Sequence, residues 1–152
     1  MKVYERFKKG QNVYVITKYG VRNGIYVRLN TPGSADVRDL ENYRDRQGTV
    51  ATYGEFSVED IFSSREALAK FLLEGTAEEL PVVKEYESRF NVGGTFWEIE
   101  DGRPVRRRIS TVRFRLGEFE YYGDWGGCAY YCDRAKDVFD TREDAVKAYL
   151  AL

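Results

Sequence analysis

The sequence has no histidine and few cysteines, methionines or prolines: two, one and three among 152 residues. Without histidine the chain cannot build a Ser-His-Asp or Cys-His catalytic centre, or a metal site with imidazole ligands. It also lacks a run of the roughly 20 apolar residues that a membrane-spanning helix needs. Neither sign of charge dominates, and the formal net charge is −1. The chain therefore has no overall field that would attract nucleic acid or an anionic membrane.

The composition is typical of a folded globular protein. Apolar residues make up 43% of the chain and charged residues 32%, a balance that differs from that of disordered chains. At roughly 150 residues per domain, the length predicts one domain or two small ones folded together. The start of the chain is rich in lysine, with no apolar core between the charges, so we expect no signal peptide.

The two cysteines, Cys128 and Cys132, lie in a segment predicted to be a strand. At about 3.3 Å per residue their Cα atoms would be about 13 Å apart, which exceeds the roughly 7 Å that a disulfide can bridge. We therefore expect free thiols, a reducing environment and a cytoplasmic protein.

The chain contains an internal repeat, visible as three blocks that occur twice in the same order. The clearest block is DIFSSREALAKFLL at 60–73, which aligns without a gap on DVFDTREDAVKAYL at 137–150. The start of the chain, 2–20, aligns on 84–102 once Ser88 is treated as an insertion. Between these blocks VRNGIYVRL corresponds to VRRRISTVRF. Blocks repeated in a constant order indicate two copies of one structural unit.

Each copy predicts strands separated by glycine turns, followed by one helix. We expect helix N-caps at Ser63 and Asp140 and a C-terminal cap at Gly75. The predicted fold class is α+β: two tandem copies of a small antiparallel sheet, each closed by a C-terminal helix and related by a pseudo-two-fold axis. The predicted boundaries are a first repeat over 1–75 with a loop insertion at about 30–50, a join over 76–83 and a second repeat over 84–152.

A short motif, F-x-S/T-R-E-x-A, marks the start of the second predicted helix. It reads VFDTREDA near the end of the chain, with IFSSREALA as its degenerate first copy. This ending resembles the tail of many short, uncharacterised proteins of phages and Gram-positive bacteria. The resemblance implies a mobile-element origin, and because no activity attaches to the pattern, it assigns no functional residue.

The most conspicuous charged segment is the predicted strand RPVRRRISTVRFR at 103–115. Its arginines could bind phosphate or nucleic acid, or they could pair with acids on neighbouring strands. If 101–104 form one hairpin loop and Leu116-Gly117 the next turn, three cross-strand ion pairs are expected. These are Glu98–Arg107, Arg113–Glu120 and Arg115–Glu118. The candidate residues for anion or nucleic-acid binding are the arginines left without an obvious acidic partner: Arg103, Arg106 and Arg108.

A second candidate segment is YYGDWGGCAYYC at 121–132. Trp125 lies between Gly-Asp and Gly-Gly, a context that predicts a turn with a large ring at its tip. That ring could pack on its own small core or be exposed in an interface, where Trp and Tyr dominate because they bury much area at little loss of rotamer entropy. The candidate protein-binding residues are Tyr122, Trp125, Tyr130 and Tyr131.

Nothing in the sequence singles out a catalytic or metal-binding set. The Cys-x3-Cys spacing differs from that of structural zinc sites, and there is no second cysteine pair. The glycines of NVGGT come before a predicted strand, whereas a dinucleotide-binding loop follows one. We therefore expect no enzymatic activity, no metal and no cofactor.

The expected function is that of a non-enzymatic module that binds a protein partner and no membrane. In a phage setting, which only the resemblance suggests, the module would modulate or inhibit a host protein such as a defence factor. The alternative is binding of nucleic acid or a phosphate ligand through the arginine-rich strand 103–115.

Overall fold

The computed structural model describes residues 1–40, 47–48, 52–125, 128–134 and 138–151, with the backbone alone for 124, 125 and 128–134. The chain divides into two units. The first unit is Val3–Tyr86, and the second combines Met1–Lys2 with Glu87–Leu152. Each consists mainly of antiparallel strands and contains one α-helix, so the predicted α+β class is confirmed.

Eleven strands and two α-helices occur in the described residues. The strands are β1 Lys2–Glu5, β2 Asn12–Thr17, β3 Gly20–Thr31, β4 Ser34–Arg38, β5 Tyr53–Ser57, β6 Ile61–Phe62, β7 Lys84–Glu87, β8 Thr95–Glu100, β9 Arg103–Arg115, β10 Glu118–Trp125 and β11 Cys128–Arg134. The helices are α1 Arg65–Glu74 and α2 Arg142–Leu150, and a 3-10 turn spans Val58–Asp60. Both cysteines lie on β11, so the prediction that they lie in a strand is confirmed.

The main sheet of the first unit has the strand order β5-β4-β3-β2-β6, and all neighbours are antiparallel. The β2–β3 hairpin closes with a two-residue turn, because Thr17 pairs with Gly20. The β3–β4 pairing is interrupted at Val27, where the register shifts. On the outer side of β2, Tyr14 pairs with Phe62. Strands β1 and β7 form a separate two-stranded sheet.

The sheet of the second unit has the strand order β11-β10-β9-β8, again antiparallel. The β8–β9 hairpin also has a two-residue turn, Asp101-Gly102. The β9–β10 pairing contains a bulge at Ser110, where the register shifts. On the outer side of β8, Trp97 forms an isolated bridge to Phe139, with both backbone hydrogen bonds at 2.8 Å.

The hairpin loop predicted at 101–104 is shorter in the structure, and this changes the β8–β9 register. The turn is only Asp101-Gly102, and both residues have positive φ, 51° and 74°. A two-residue turn with two positive φ angles matches the right-handed twist of antiparallel strands, whereas type I and II turns would splay them. Glu98 therefore lies opposite Val105, and the prediction that it lies opposite Arg107 is wrong.

The β9–β10 turn at Leu116-Gly117 is confirmed, together with the predicted pairs Arg115–Glu118 and Arg113–Glu120 as strand neighbours. The loop insertion predicted at about 30–50 contains the strand β4, which sequence analysis did not predict. Ala35 and Val37 of this strand are buried, but a strand of five residues carries too little alternation to be recognised. Much of the remainder of that range lies outside the described residues.

Each helix begins directly after a hydroxyl side chain that caps it, Ser64 for α1 and Thr141 for α2. Each cap oxygen accepts a hydrogen bond from the backbone amide three residues later, at 3.0 and 3.1 Å. The predicted caps, Ser63 and Asp140, are wrong by one residue, because the residue with extended backbone before the first turn is the next one along. The C-terminal cap of α1 is confirmed, since Gly75 has a φ of 71°.

Each main sheet buries apolar side chains together with a few polar or charged ones. The buried strand residues of the first sheet include Val13, Val15, Tyr26, Leu29, Ala35, Val37 and Phe56. Those of the second sheet include Phe96, Glu98, Arg107, Ile109, Phe114, Phe119 and Tyr121. The first sheet also buries Asp36, and the second core contains the charged pair Glu98 and Arg107. Arg106, Arg108 and Tyr122 lie on the opposite face of the second sheet.

Candidate functional site

Strand β9 exposes arginines on the face opposite its core residues. Side chains alternate along a strand, so Arg106 and Arg108 project away from the buried Arg107. The bulge at Ser110 shifts this alternation by one residue and brings two further arginines to the same side. We term this surface the arginine face; it is formed by Arg106, Arg108, Arg113 and Arg115, all of which are exposed.

The two ends of the arginine face differ in charge balance. The Arg113 guanidinium lies 5.3 Å from the centroid of the Tyr122 ring, and Arg115 Nε lies 3.8 Å from a Glu120 carboxylate oxygen. Neither Arg106 nor Arg108 has a salt bridge to any residue in the described part of the chain. Among the described side chains, the guanidinium groups at that end therefore have no acidic partner.

Arg103, the third predicted anion-binding residue, is not part of this face. It lies beside the two-residue turn, opposite Glu100 in the β8–β9 register. By strand alternation it shares the side of Arg107 and not that of Arg106 and Arg108. The structure therefore brings together two of the three predicted arginines.

The predicted aromatic residues lie on β10 and β11. Tyr122 is half-buried and belongs to the arginine face, where its hydroxyl donates a hydrogen bond to Glu120 at 3.2 Å. Trp125 is the last residue of β10 and pairs with Cys128 across the tip of the hairpin. For Trp125, Tyr130 and Tyr131 only the backbone is described, so predictions about their side chains lie outside the described residues.

Beneath the arginine face the core of the second unit holds a buried ion pair. Arg107 Nε donates to Glu98 Oε1 at 3.1 Å, and a terminal nitrogen of the same guanidinium also pairs with Glu100. The side chains of Arg107 and Glu98 are 5% and 2% exposed. The sequence predicts the Glu98–Arg107 ion pair but not its burial. A sequence signal exists in Gly123, a glycine inside a strand, where an added Cβ would lie 3.0 Å from Arg107 Cβ.

The first unit contains a buried network that sequence analysis missed. Glu5 accepts hydrogen bonds from the Tyr26 hydroxyl at 2.5 Å, the Tyr86 hydroxyl at 2.9 Å and the Leu29 amide at 3.1 Å. Burial, together with the hydrogen bond to Glu5, raises the pKa of Tyr86 to about 12. The same causes raise the pKa of Tyr26 well above its ordinary value. Three donors satisfy the buried carboxylate and join β1, β3 and β7.

This network predicts a loss of stability at alkaline pH. Because the phenols of Tyr26 and Tyr86 have raised pKa values in the folded state, folding favours their protonated forms. The associated stability is present below the unfolded value of about 10 and falls as pH rises above it. We expect the free energy of unfolding to decrease between about pH 10 and pH 12, and to decrease less in Tyr26→Phe/Tyr86→Phe.

The measurement is urea denaturation followed by circular dichroism at each pH. The control is Tyr19→Phe, at an exposed tyrosine of the same unit. Equal pH dependence in the wild type and the double variant would show that the network makes no contribution.

The described residues place charged side chains and aromatic rings at the surface. No group of three or more Cys, Asp or Glu side chains among them is placed to hold a metal ion. Within the same residues, no helix has the length and apolar character to span a membrane. Comparison of the chain with family models, curated proteins and solved structures finds no match.

Proposed function

We propose that the chain is a non-enzymatic module that binds a protein partner through its second unit. The observation that carries this proposal is the arginine face, where exposed arginines lie beside Tyr122 on one side of β9 and β10. Arginine, tyrosine and tryptophan are the residues that contribute most to protein interfaces. The surface ends at the β10–β11 hairpin, which carries the other proposed contact residues: Trp125, Tyr130 and Tyr131.

The backbone of the hairpin supports this assignment. Trp125 is next to the two-residue connection between β10 and β11, and Tyr131 lies opposite Gly123. Strand β11 is the last strand in its sheet. A hairpin at the edge of a sheet is a position where a partner can approach both the tip and the outer strand.

We also propose that the two units arose by tandem duplication and are related by a pseudo-two-fold axis. Strand order supports the duplication. In each sheet four strands that are consecutive in the chain are also neighbours, in the order β5-β4-β3-β2 in the first unit and β11-β10-β9-β8 in the second. The strand registers also support the duplication. Gly10 donates to the Tyr26 carbonyl at 2.8 Å, as Gly93 donates to the Ile109 carbonyl at 2.9 Å. In each unit the residue after that carbonyl, Val27 or Ser110, is where the strand register shifts.

A reciprocal exchange of side-chain size also supports duplication. In the first unit Gly24 makes room for Val37, whose Cγ1 would lie 2.6 Å from an added Cβ. In the second unit Arg107 corresponds to Gly24, and Gly123 corresponds to Val37. The glycine therefore lies on the middle strand β3 in the first unit and on the neighbouring strand β10 in the second. Two strands that must approach equally closely can place the large side chain on either one, provided that the other carries glycine.

The proposed surface is confined to the second unit. The β2–β3 register gives Asn23 and Ile25 the positions that Arg106 and Arg108 occupy in the second unit. The duplicated unit thus supplies the scaffold, and the charge on β9 supplies the binding function. From the free thiols expected of Cys128 and Cys132 we further propose a cytoplasmic setting. From the resemblance of the VFDTREDA ending we propose that the partner is a host protein, such as a defence factor, that a phage module modulates or inhibits.

The second candidate is binding of nucleic acid or a phosphate ligand by the same surface. It is favoured by one observation, the absence of salt bridges at Arg106 and Arg108 in the described part of the chain. Phosphate oxygens are good partners for such guanidinium groups. Arg103 is left out of this candidate because it lies on the other face.

Affinity capture from bacterial lysate, with and without nuclease, tests the proposed function. We expect a discrete protein band that survives nuclease, disappears with Trp125→Ala and remains with Tyr19→Ala, a matched exposed aromatic of the first unit. Capture of nucleic acid alone would favour the second candidate. A band that persists with Trp125→Ala, or no band from the wild type, would contradict the proposal.

A further inference from the structure

We infer that the arginine face binds an extended acidic segment of the partner, with carboxylates at alternate positions. This inference rests on the proposed protein-binding function and specifies the chemistry of the partner. It is carried by the geometry of Arg106 and Arg108, which are exposed, two residues apart on one strand and on the same face.

The spacing of the two guanidinium groups sets the spacing of the ligand. Residues i and i+2 of a strand lie on the same face, at about 6.6 Å for a rise of about 3.3 Å per residue. An acid-x-acid segment in extended conformation repeats its carboxylates at the same distance. Each carboxylate can then receive two parallel N–H bonds from one arginine, a geometry that lysine cannot provide.

The neighbouring residues limit where such a segment can bind. Arg115 already lies near Glu120, and Glu118 is its strand neighbour, so that end of the face would repel further carboxylates. Arg113 stacks on Tyr122 and presents a flat, partly apolar surface. The acidic segment therefore binds at the Arg106–Arg108 end, and apolar partner residues pack towards Tyr122 and the hairpin.

The charge of the whole chain favours an acidic protein segment over nucleic acid. Nucleic-acid-binding domains have strongly basic surfaces and usually an isoelectric point above about 9. This chain has an isoelectric point of about 5.7 and a net charge of −1. Two exposed arginines release few counterions from a nucleic acid, whereas they suffice to recognise two carboxylates.

Fluorescence anisotropy with defined probes tests the inference. The first probe is a labelled peptide of alternating Glu and Thr, the second is the same peptide with Gln for Glu, and the third is oligothymidylate of equal charge. We expect binding of the Glu peptide that weakens with salt, and no binding of the Gln peptide. Arg106→Gln/Arg108→Gln should weaken binding of the Glu peptide by about tenfold.

The matched control is Arg103→Gln/Arg142→Gln, which removes the same charge from exposed positions of the second unit outside the arginine face. It should change the affinity by less than about twofold. Equal losses in both variants would show a non-specific charge effect and overturn the inference, as would the absence of Glu-peptide binding. Tighter binding of oligothymidylate than of the Glu peptide would assign the surface to nucleic acid.

The same variants separate this inference from the proposed function. If Arg106→Gln/Arg108→Gln still captures the nuclease-resistant protein that Trp125→Ala loses, the partner binds at the hairpin alone and the acidic-segment inference fails. If the wild type captures no protein, the proposed function fails whatever the peptide shows. Circular dichroism of each variant confirms that loss of binding is not loss of folding.

Discussion

Replacing Arg107 with methionine is expected to lower the free energy of unfolding by about 3–5 kcal/mol. The guanidinium is buried and donates to Glu98, whose carboxylate is buried even more deeply. Methionine retains the apolar stem but removes the donor, so a charge remains in the core with its main compensation lost. The measurement is urea denaturation followed by circular dichroism at neutral pH.

Two further variants separate the buried charge from simple loss of packing. In Glu98→Leu/Arg107→Met the uncompensated carboxylate is gone, and we expect most of the lost stability to return. Arg115→Met, which removes an exposed arginine 3.8 Å from Glu120, should cost less than about 1 kcal/mol. A double variant no more stable than Arg107→Met would contradict the explanation by buried charge.

Adding one methyl group at Gly24 is expected to destabilise the first unit by about 1–3 kcal/mol. The Cβ of Gly24→Ala would lie 2.6 Å from Val37 Cγ1 and 2.8 Å from Leu40 Cδ2, closer than real contacts allow. Both neighbours are buried and cannot move away without disturbing the core. The loss should appear as a lower urea midpoint with an unchanged denaturant slope.

Gly33→Ala is the matched control, because an added Cβ there meets no atom within 4 Å. We expect little change in its stability. Val37→Ala in the Gly24→Ala background should recover part of the loss, since it removes the closest atom. If Gly33→Ala and Gly24→Ala are equally destabilised, the cost comes from the backbone and not from the contact with Val37.

The longer strands could be predicted because their sequences alternate and end at glycine turns. The turn at Leu116-Gly117 fixes the β9–β10 register as expected. The predicted β8–β9 register is wrong, because the predicted hairpin loop 101–104 includes Pro104. In the structure it lies in β9, opposite Ile99. A strand accepts proline where its missing amide does not interrupt the ladder, and sequence alone does not identify that position.

The arginine face could be predicted only in part. The sequence predicts that Arg106 and Arg108 have no acidic partner opposite them, but it groups them with Arg103, which strand alternation places on the other side. The bulge at Ser110 was not predictable from local sequence, although it decides that Arg113 shares the face. The network at Glu5 depends on Tyr86, and contacts across such long sequence separations leave no local pattern.

Amide hydrogen exchange of the chain, alone and bound to the protein it captures, tests most directly whether the second unit is the binding unit. We expect slower exchange on binding in β9, β10 and β11, centred on Arg106–Arg108 and the hairpin after Tyr122, with little change in Val3–Tyr86. Protection concentrated in the first unit, or spread equally over corresponding strands of both units, would contradict a binding surface that belongs to the second unit alone.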